Sequence, residues 1–244
     1  MRIRGIAHRG DPVKCPENTL SAFQAAVDQG YTYIELDVLL SKDGVPVVIH
    51  DHSVDHMTDH RGLVKDYTLA ELKRMKVRDV ETIPTLEETM KLLRGKINVM
   101  VELKQAGDLY PGLEQKVLDV LKQTDTFEQS IIISFDLYSI ERVRRLSPDI
   151  RLGITTSNTL PFVFPWMKEY RCETLGVPTK MLTDEYANTM IEHGIEVCPW
   201  MVDSIADMEF IAKKYPTSLI TTNELERWAQ FYRTHPEVHE SSKC

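Results

Sequence analysis

Residues 99–155 read VMVELKQAGDLYPGLEQKVLDVLKQTDTFEQSIIISFDLYSIERVRRLSPDIRLGIT. Two structural periods alternate within this stretch. The apolar, largely β-branched runs at 99–103, 131–135 and 152–155 read as buried strands. The stretches between them, at 113–123 and 139–146, carry apolar residues at helical spacing. Strand, helix, strand in this order is the building unit of a parallel sheet. Toward the C-terminus the pattern continues, with strands expected at 174–177, 197–202 and 219–222. Helices are expected at 164–170, 184–193, 205–214 and 225–232. Toward the N-terminus, strands at 4–7 and 33–39 enclose a helix at 19–29, with Asn18 as its expected cap and Gly30 as its stop. Eight such units in 244 residues predict an α/β fold of the (β/α)8 TIM-barrel type. A doubly wound open sheet is the alternative, but the Gly-rich phosphate loop of nucleotide folds is absent from the sequence.

One segment breaks the alternation. Ser41-Lys42-Asp43-Gly44 precedes the apolar run Val45-Pro46-Val47-Val48-Ile49, which ends at His50. Asp-Gly between apolar runs predicts a hairpin, and a two-residue turn would set Asp37 opposite His50. Residues 52–82 fit no barrel unit and read as a small insertion near the C-terminal mouth, with a turn at Arg61-Gly62 and a helix at 69–75. A helix at 85–93 leads back to the third barrel strand. Residues 1–244 are expected to form a single domain with a C-terminal tail at about 234–244.

Composition narrows the function classes. Hydrophobic residues make up 42% of the chain, enough for a sizeable core and too many for a disordered chain. The net charge of −8 argues against nucleic acid or an anionic membrane as partner. No apolar run is long enough for an integral membrane segment. Met1 to His8 holds no secretory apolar core, so the cytoplasm is the expected location. Cys15, Cys172, Cys198 and Cys244 are scattered without a Cys-x-x-Cys pair, as expected of reduced, mainly structural thiols.

Barrel active sites gather at the C-terminal ends of strands. There the sequence puts His8 and Arg9, Glu35 and Asp37, and Glu102 and Lys104. Strand side chains alternate faces, so Glu35 shares a face with Asp37, and Glu102 with Lys104. Three carboxylates in a barrel interior repel one another, and a hard divalent cation with oxygen ligands resolves the conflict. His8 and His50 are the natural acid–base pair, since histidine titrates near neutrality. Arg9 and Lys104 suit a phosphate, or else balance the carboxylates. Phe135 and Trp200 end strands and could form an apolar wall. His52, His56 and His60 in the insertion are expected to be solvated or hydrogen-bonded loop residues. Ser134 lacks the Gly-x-Ser-x-Gly setting of a hydrolase nucleophile.

Taken in order, these motifs resemble those of the glycerophosphodiester phosphodiesterase family, in particular its short bacterial-type members. The resemblance spans about residues 3–229. It rests on His8-Arg9-Gly10, Pro16-Glu17-Asn18-Thr19, Glu35-Leu36-Asp37-Val38, Lys42-Asp43-Gly44, His50-Asp51 and Glu102-Leu103-Lys104. It implies a TIM barrel and one divalent cation, Mg²⁺ or Ca²⁺, bound by Glu35, Asp37 and Glu102. It implies catalysis by His8 and His50, with Arg9 and Lys104 near the phosphate. Glu17 and Asn18 would support the site, Glu17 by ordering Arg9. Phe135 and Trp200 match aromatic positions around the substrate's glycerol or exit group. The expected reaction is hydrolysis of a small glycerophosphodiester to sn-glycerol 3-phosphate and an alcohol. Lysophospholipid or phosphoinositide cleavage, a non-catalytic metal-binding barrel and a metal-dependent aldolase or isomerase are the alternatives. A homodimer is left open. Three positions depart from the usual pattern: His56-Met57-Thr58 in place of Arg-Thr, Asp203 in place of Asn, and Asn223 in place of Asp. All three are expected to stay clear of the metal and of the two histidines.

Overall fold

The computed structural model describes residues 2–240. Eight strands run parallel in a nearly closed barrel: β1 (Ile3–His8), β2 (Tyr31–Leu40), β4 (Asn98–Leu103), β5 (Ser130–Ile133), β6 (Arg151–Thr155), β7 (Cys172–Pro178), β8 (Glu196–Trp200) and β9 (Thr221–Thr222). The short β3 (Pro46–Val48) pairs antiparallel with β2, outside this ring. The TIM barrel is therefore the fold, with helices following the strands around its outside.

The final strand is shorter than its apolar pattern suggests. Only Thr221 and Thr222 join the ladder, opposite Ile6 and Ala7 of β1. The seam between β8 and β9 is held by separate bonds, from the Leu219 N–H to the Val197 carbonyl and from the Val202 N–H to the Thr221 carbonyl, each 2.9 Å.

Helix starts follow local capping chemistry. The Thr85 hydroxyl and Glu88 carboxylate form a capping box at α3 (Leu86–Leu93), and Thr68 and Glu71 form one at α2 (Leu69–Leu72). The latter helix stops three residues short of the expected Met75. Helix α1 (Leu20–Asp28) corrects the expected cap: the Thr19 hydroxyl accepts from the Ala22 N–H, while Asn18 turns away. Gly30 follows that helix at φ +83°, a conformation that glycine adopts without strain.

The hairpin register also differs from expectation. Val38, Leu39 and Leu40 pair with Val48, Val47 and Pro46. The turn is longer than two residues, with the Ser41 N–H donating to the Val45 carbonyl and the Val45 N–H to the Ser41 hydroxyl. Asp37 therefore faces Ile49, whose N–H donates to the Asp37 carbonyl at 3.1 Å. A one-residue slip would turn His50 to the opposite face of a continuing strand. It does not do so here because β3 ends at Val48 and the chain bends before His50.

Between β3 and α3 the chain packs as a small satellite, with Val54, Met57, Val64, Leu72, Met75, Val77 and Ile83 buried in the main core. The main core lies between strands and helices. A separate cluster of Ile6, Met100, Ile131, Ile133, Cys198 and Leu219 fills the barrel's inside. Past the last long helix (Leu225–Thr234), a short helix (Glu237–Glu240) buries Val238. Residues 241–244, and with them Cys244, lie outside the described residues.

Candidate active site

Strand parity assembles the site. The inside cluster marks Ile6, Met100, Ile133 and Cys198 as inward-facing. Two residues further along the same strands, parity puts His8, Glu102, Phe135 and Trp200 on that inner side. Together with Glu35, Arg9, Lys104 and His50 they border a cavity of about 310 Å³. Ile6, Met100, Ile133 and Cys198 line its depth. Phe135 and Trp200 meet edge to face, with ring centroids 6.2 Å apart.

Asp37, Glu17 and Asn18 stand behind that lining. Arg9 Nη1 donates to Glu17 Oε1 at 2.9 Å, and Arg9 Nε lies 3.3 Å from Asp37 Oδ2. The Asn18 amide donates to Asp37 Oδ2 at 2.8 Å. Left-handed turns at Arg9, Gly10 and Asn18 fold this loop onto itself. A side chain at Gly10 would collide with the Ala22 backbone at 2.5 Å.

The three carboxylates converge. Oxygens of Glu35, Asp37 and Glu102 lie within 4.8 Å of one another, all three residues are buried, and Glu35 Oε1 has no hydrogen-bond partner. Lys104 Nζ answers part of this charge, 2.8 Å from Glu102 Oε1 and 3.5 Å from Asp37 Oδ1. Burial, then the charges of Asp37 and Glu102, push the Glu35 carboxyl well above the usual range. Burial and Asp37 push Glu102 up to about 7, despite Lys104. Asp37 is equally buried, yet Lys104, Arg9, His50 and the Asn18 bond together hold it below the usual range. An all-oxygen donor set with an orphaned buried oxygen fits a hard divalent cation.

The two histidines have unlike partners. His8 Nδ1 lies 2.8 Å from Asn223 Oδ1, and His50 Nδ1 lies 2.7 Å from Asp51 Oδ1. Burial, reinforced by Arg9, pushes His8 down to about 4, so its ring is neutral near pH 7. Its Nε2 lies 3.9 Å from Glu35 Oε2, too far for a hydrogen bond.

One of the departures from the family pattern reaches this machinery, contrary to expectation, while Asp203 stays clear of both histidines. Asn223 contacts His8 directly, and its own amide nitrogen donates to Asp203 Oδ2 at 2.9 Å. His56, the third departure, lies 3.7 Å from the Asp51 carboxylate. Departure from the usual pattern was the sequence signal for both residues; only the structure shows that Asp203 bonds Asn223, 20 positions away. The remaining insertion histidines disperse: His52 bonds Tyr110 at 2.9 Å and stacks on its ring, while His60 bonds Asp59 at 2.7 Å. Among the described residues, Glu35, Asp37 and Glu102 are the one group able to share a metal. Ser134 donates its hydroxyl to the Leu103 carbonyl at 2.8 Å.

Residues 8–226 match the model of the glycerophosphoryl diester phosphodiesterase family. The chain belongs to that family. It is 37% identical over 231 residues to a glycerophosphodiester phosphodiesterase of Caldanaerobacter subterraneus, covering 91% of this chain and 94% of the relative. Glycerophosphodiester phosphodiesterase 1 of Mus musculus is 25% identical over 270 residues, covering 95% and 81%. An Oleispira antarctica phosphodiesterase, solved in complex with the product sn-glycerol 3-phosphate, superposes with a TM-score of 0.87 at 25% identity, covering 95% and 96%. The Thermotoga maritima glycerophosphodiester phosphodiesterase shares the fold, with a TM-score of 0.78 at 24% identity, covering 95% and 99%. The protein is thus an enzyme, a glycerophosphodiester phosphodiesterase. No helix among the described residues is long and apolar enough to cross a membrane.

Proposed function

We propose that the enzyme hydrolyses small glycerophosphodiesters, such as glycerophosphocholine or glycerophosphoethanolamine, to sn-glycerol 3-phosphate and the free alcohol. The observation that carries this reading is that His8, His50, Glu35 and Glu102 border one cavity, with the buried carboxylate of Asp37 grouped with those of Glu35 and Glu102. Glu35, Asp37 and Glu102 would hold a Mg²⁺ or Ca²⁺ ion, which supplies a positive centre for charge that grows on the phosphate oxygens.

The protein's own groups divide the proton transfers. His8 has a neutral amide on Nδ1, leaving Nε2 free to take the proton of the attacking hydroxyl. His50 has a carboxylate on Nδ1, and an ionised partner stabilises an imidazolium, so His50 suits delivery of a proton to the leaving alkoxide. The glycerol 2-hydroxyl is the proposed nucleophile: its oxygen bonds phosphorus as the bond to the alcohol breaks. Water then opens the cyclic phosphate with the histidine roles reversed. Arg9 and Lys104 border the cavity and offer donors to the phosphate. Phe135 and Trp200 offer an apolar wall to the glycerol or the alcohol.

A coupled assay for glycerol 3-phosphate across several glycerophosphodiesters, with and without chelator, tests this reading. Release of glycerol 3-phosphate that stops on chelation is expected. No product with any divalent metal would refute it.

A further inference from the structure

Asp203 lies in the loop after β8, and Asn223 follows β9, so the two stand on either side of the seam that closes the barrel. The Asp203 carboxylate accepts three hydrogen bonds from Thr222 and Asn223. Its Oδ1 accepts from the Thr222 hydroxyl at 2.9 Å and from the Asn223 N–H at 2.8 Å. Its Oδ2 accepts from the Asn223 side-chain nitrogen at 2.9 Å. The loop itself is anchored from a third side, where Arg227 Nη1 donates to the Asp203 carbonyl at 2.7 Å.

This leaves the Asn223 amide one orientation. Rotating it by half a turn would set its oxygen against a carboxylate oxygen, acceptor against acceptor. With its nitrogen committed to Asp203, the amide can present only its oxygen to His8 Nδ1, 2.8 Å away. An amide oxygen accepts and never donates, so Nδ1 must carry the ring proton and Nε2 must be bare.

We propose that Asp203 is a positioning residue that sets the His8 tautomer without touching it, by way of the Asn223 amide. The ring nitrogen left bare is the one that the proposed reaction needs as base, so the effect on turnover rests on that reading. The tautomer itself does not.

The isosteric variant Asp203→Asn makes a sharp case. The backbone N–H of Asn223 and the Thr222 hydroxyl claim its one oxygen. The position of Oδ2 becomes a donor, facing another donor on Asn223. The Asn223 amide then turns over, donates to His8 Nδ1 and moves the ring proton to Nε2. Exchanging the pair, Asp203→Asn with Asn223→Asp, restores an acceptor on His8 and a donor on position 203.

The tautomer is read by ¹⁵N NMR of the histidine rings in the full chain at pH 7.5. Wild type and the exchanged pair should show Nδ1–H at His8, Asp203→Asn should show Nε2–H, and Asn223→Ala, which loses the acceptor while keeping the Asp203 bonds to the backbone and Thr222, a mixture of both. In kinetics with glycerophosphocholine, Asp203→Asn should lose about 10²–10⁴-fold in kcat with little change in KM, as for loss of a general base. The exchanged pair should recover to within about tenfold. An unchanged Nδ1–H signal in Asp203→Asn would overturn the proposal, whatever Asn223→Ala shows. If Asp203→Asn does not fold, Asp203→Ala decides: a mixture of tautomers at His8 supports the proposal, and an unchanged Nδ1–H signal overturns it. A switched tautomer with unaltered turnover would uphold the positioning role and instead refute His8 as the base.

Discussion

Asp37 and Glu102 are register partners on the neighbouring parallel strands β2 and β4, and Lys104 Nζ lies between them, 3.5 Å from one carboxylate and 2.8 Å from the other. One lysine cannot neutralise both together with Glu35. The outcome is an uneven division of charge, with Asp37 held ionised and Glu102 and Glu35 driven toward their protonated forms.

That division predicts how metal-free protein responds to pH. Glu102 titrates at about 7 in the folded chain against 4.5 as a free side chain. The folded state therefore holds more protons between those values, and the stability they provide is complete below about pH 4.5 and lost as pH rises through about 7. His8, lowered to about 4, acts in the opposite sense between about pH 4 and 6.5. Comparing wild type with Glu102→Gln in chelator separates the two. The variant should gain on wild type by an amount on the order of 2 kcal/mol between pH 5 and 8 in urea unfolding. Parallel pH curves would contradict the prediction.

Neutralising the carboxylates should remove metal binding. Glu35→Gln, Asp37→Asn and Glu102→Gln should each keep the fold by circular dichroism, while calorimetric titration with Mg²⁺ or Ca²⁺ loses its signal. Activity should fall by about 10²-fold or more, since charge stabilisation by a metal is worth several kcal/mol. Full activity of wild type in chelator would exclude the metal role.

Arg9 and Lys104 are tied to carboxylates in this structure. If they also meet the substrate's phosphate, Arg9→Ala and Lys104→Ala should each lose at least about tenfold in kcat/KM, the equivalent of one charged hydrogen bond of about 1.5–3 kcal/mol. Steady-state kinetics near wild type for both would leave them as balancing charges alone.

The unlike partners of the two histidines predict unlike responses to the leaving group. His8→Ala and His50→Ala should each lose about 10²–10⁴-fold on a choline ester. On a nitrophenyl diester, whose leaving group needs no proton, His50→Ala should be largely rescued and His8→Ala should not. Equal rescue would mean that the roles are assigned wrongly. A substrate lacking the glycerol 2-hydroxyl should not react, and phosphorus NMR should show a transient cyclic phosphate with the natural one. Fast hydrolysis of the deoxy substrate would replace the cyclic route with direct attack by water.

By itself the sequence determined the barrel and most of the layout of the candidate site, because both follow from short-range periodicity. Alternation within a strand puts Glu35 and Asp37 on one face, and the same alternation carries Met100 to Glu102 and Ile6 to His8. Only the tertiary structure decided what depends on contacts distant along the chain or on the shape of one turn. The hairpin after β2 closes through a longer turn, because the Ser41 hydroxyl and backbone both bind Val45, and so His50 reaches the cavity by leaving its strand. Asn18 is a typical helix cap in composition, but Thr19 takes that place, and the buried Asp37 carboxylate claims the Asn18 amide. Asp203 and Asn223 each read as an isolated departure. Their bond spans the barrel seam, where closure of the sheet brings the loop after β8 against the end of β9 and turns two separate polar residues into the support of His8.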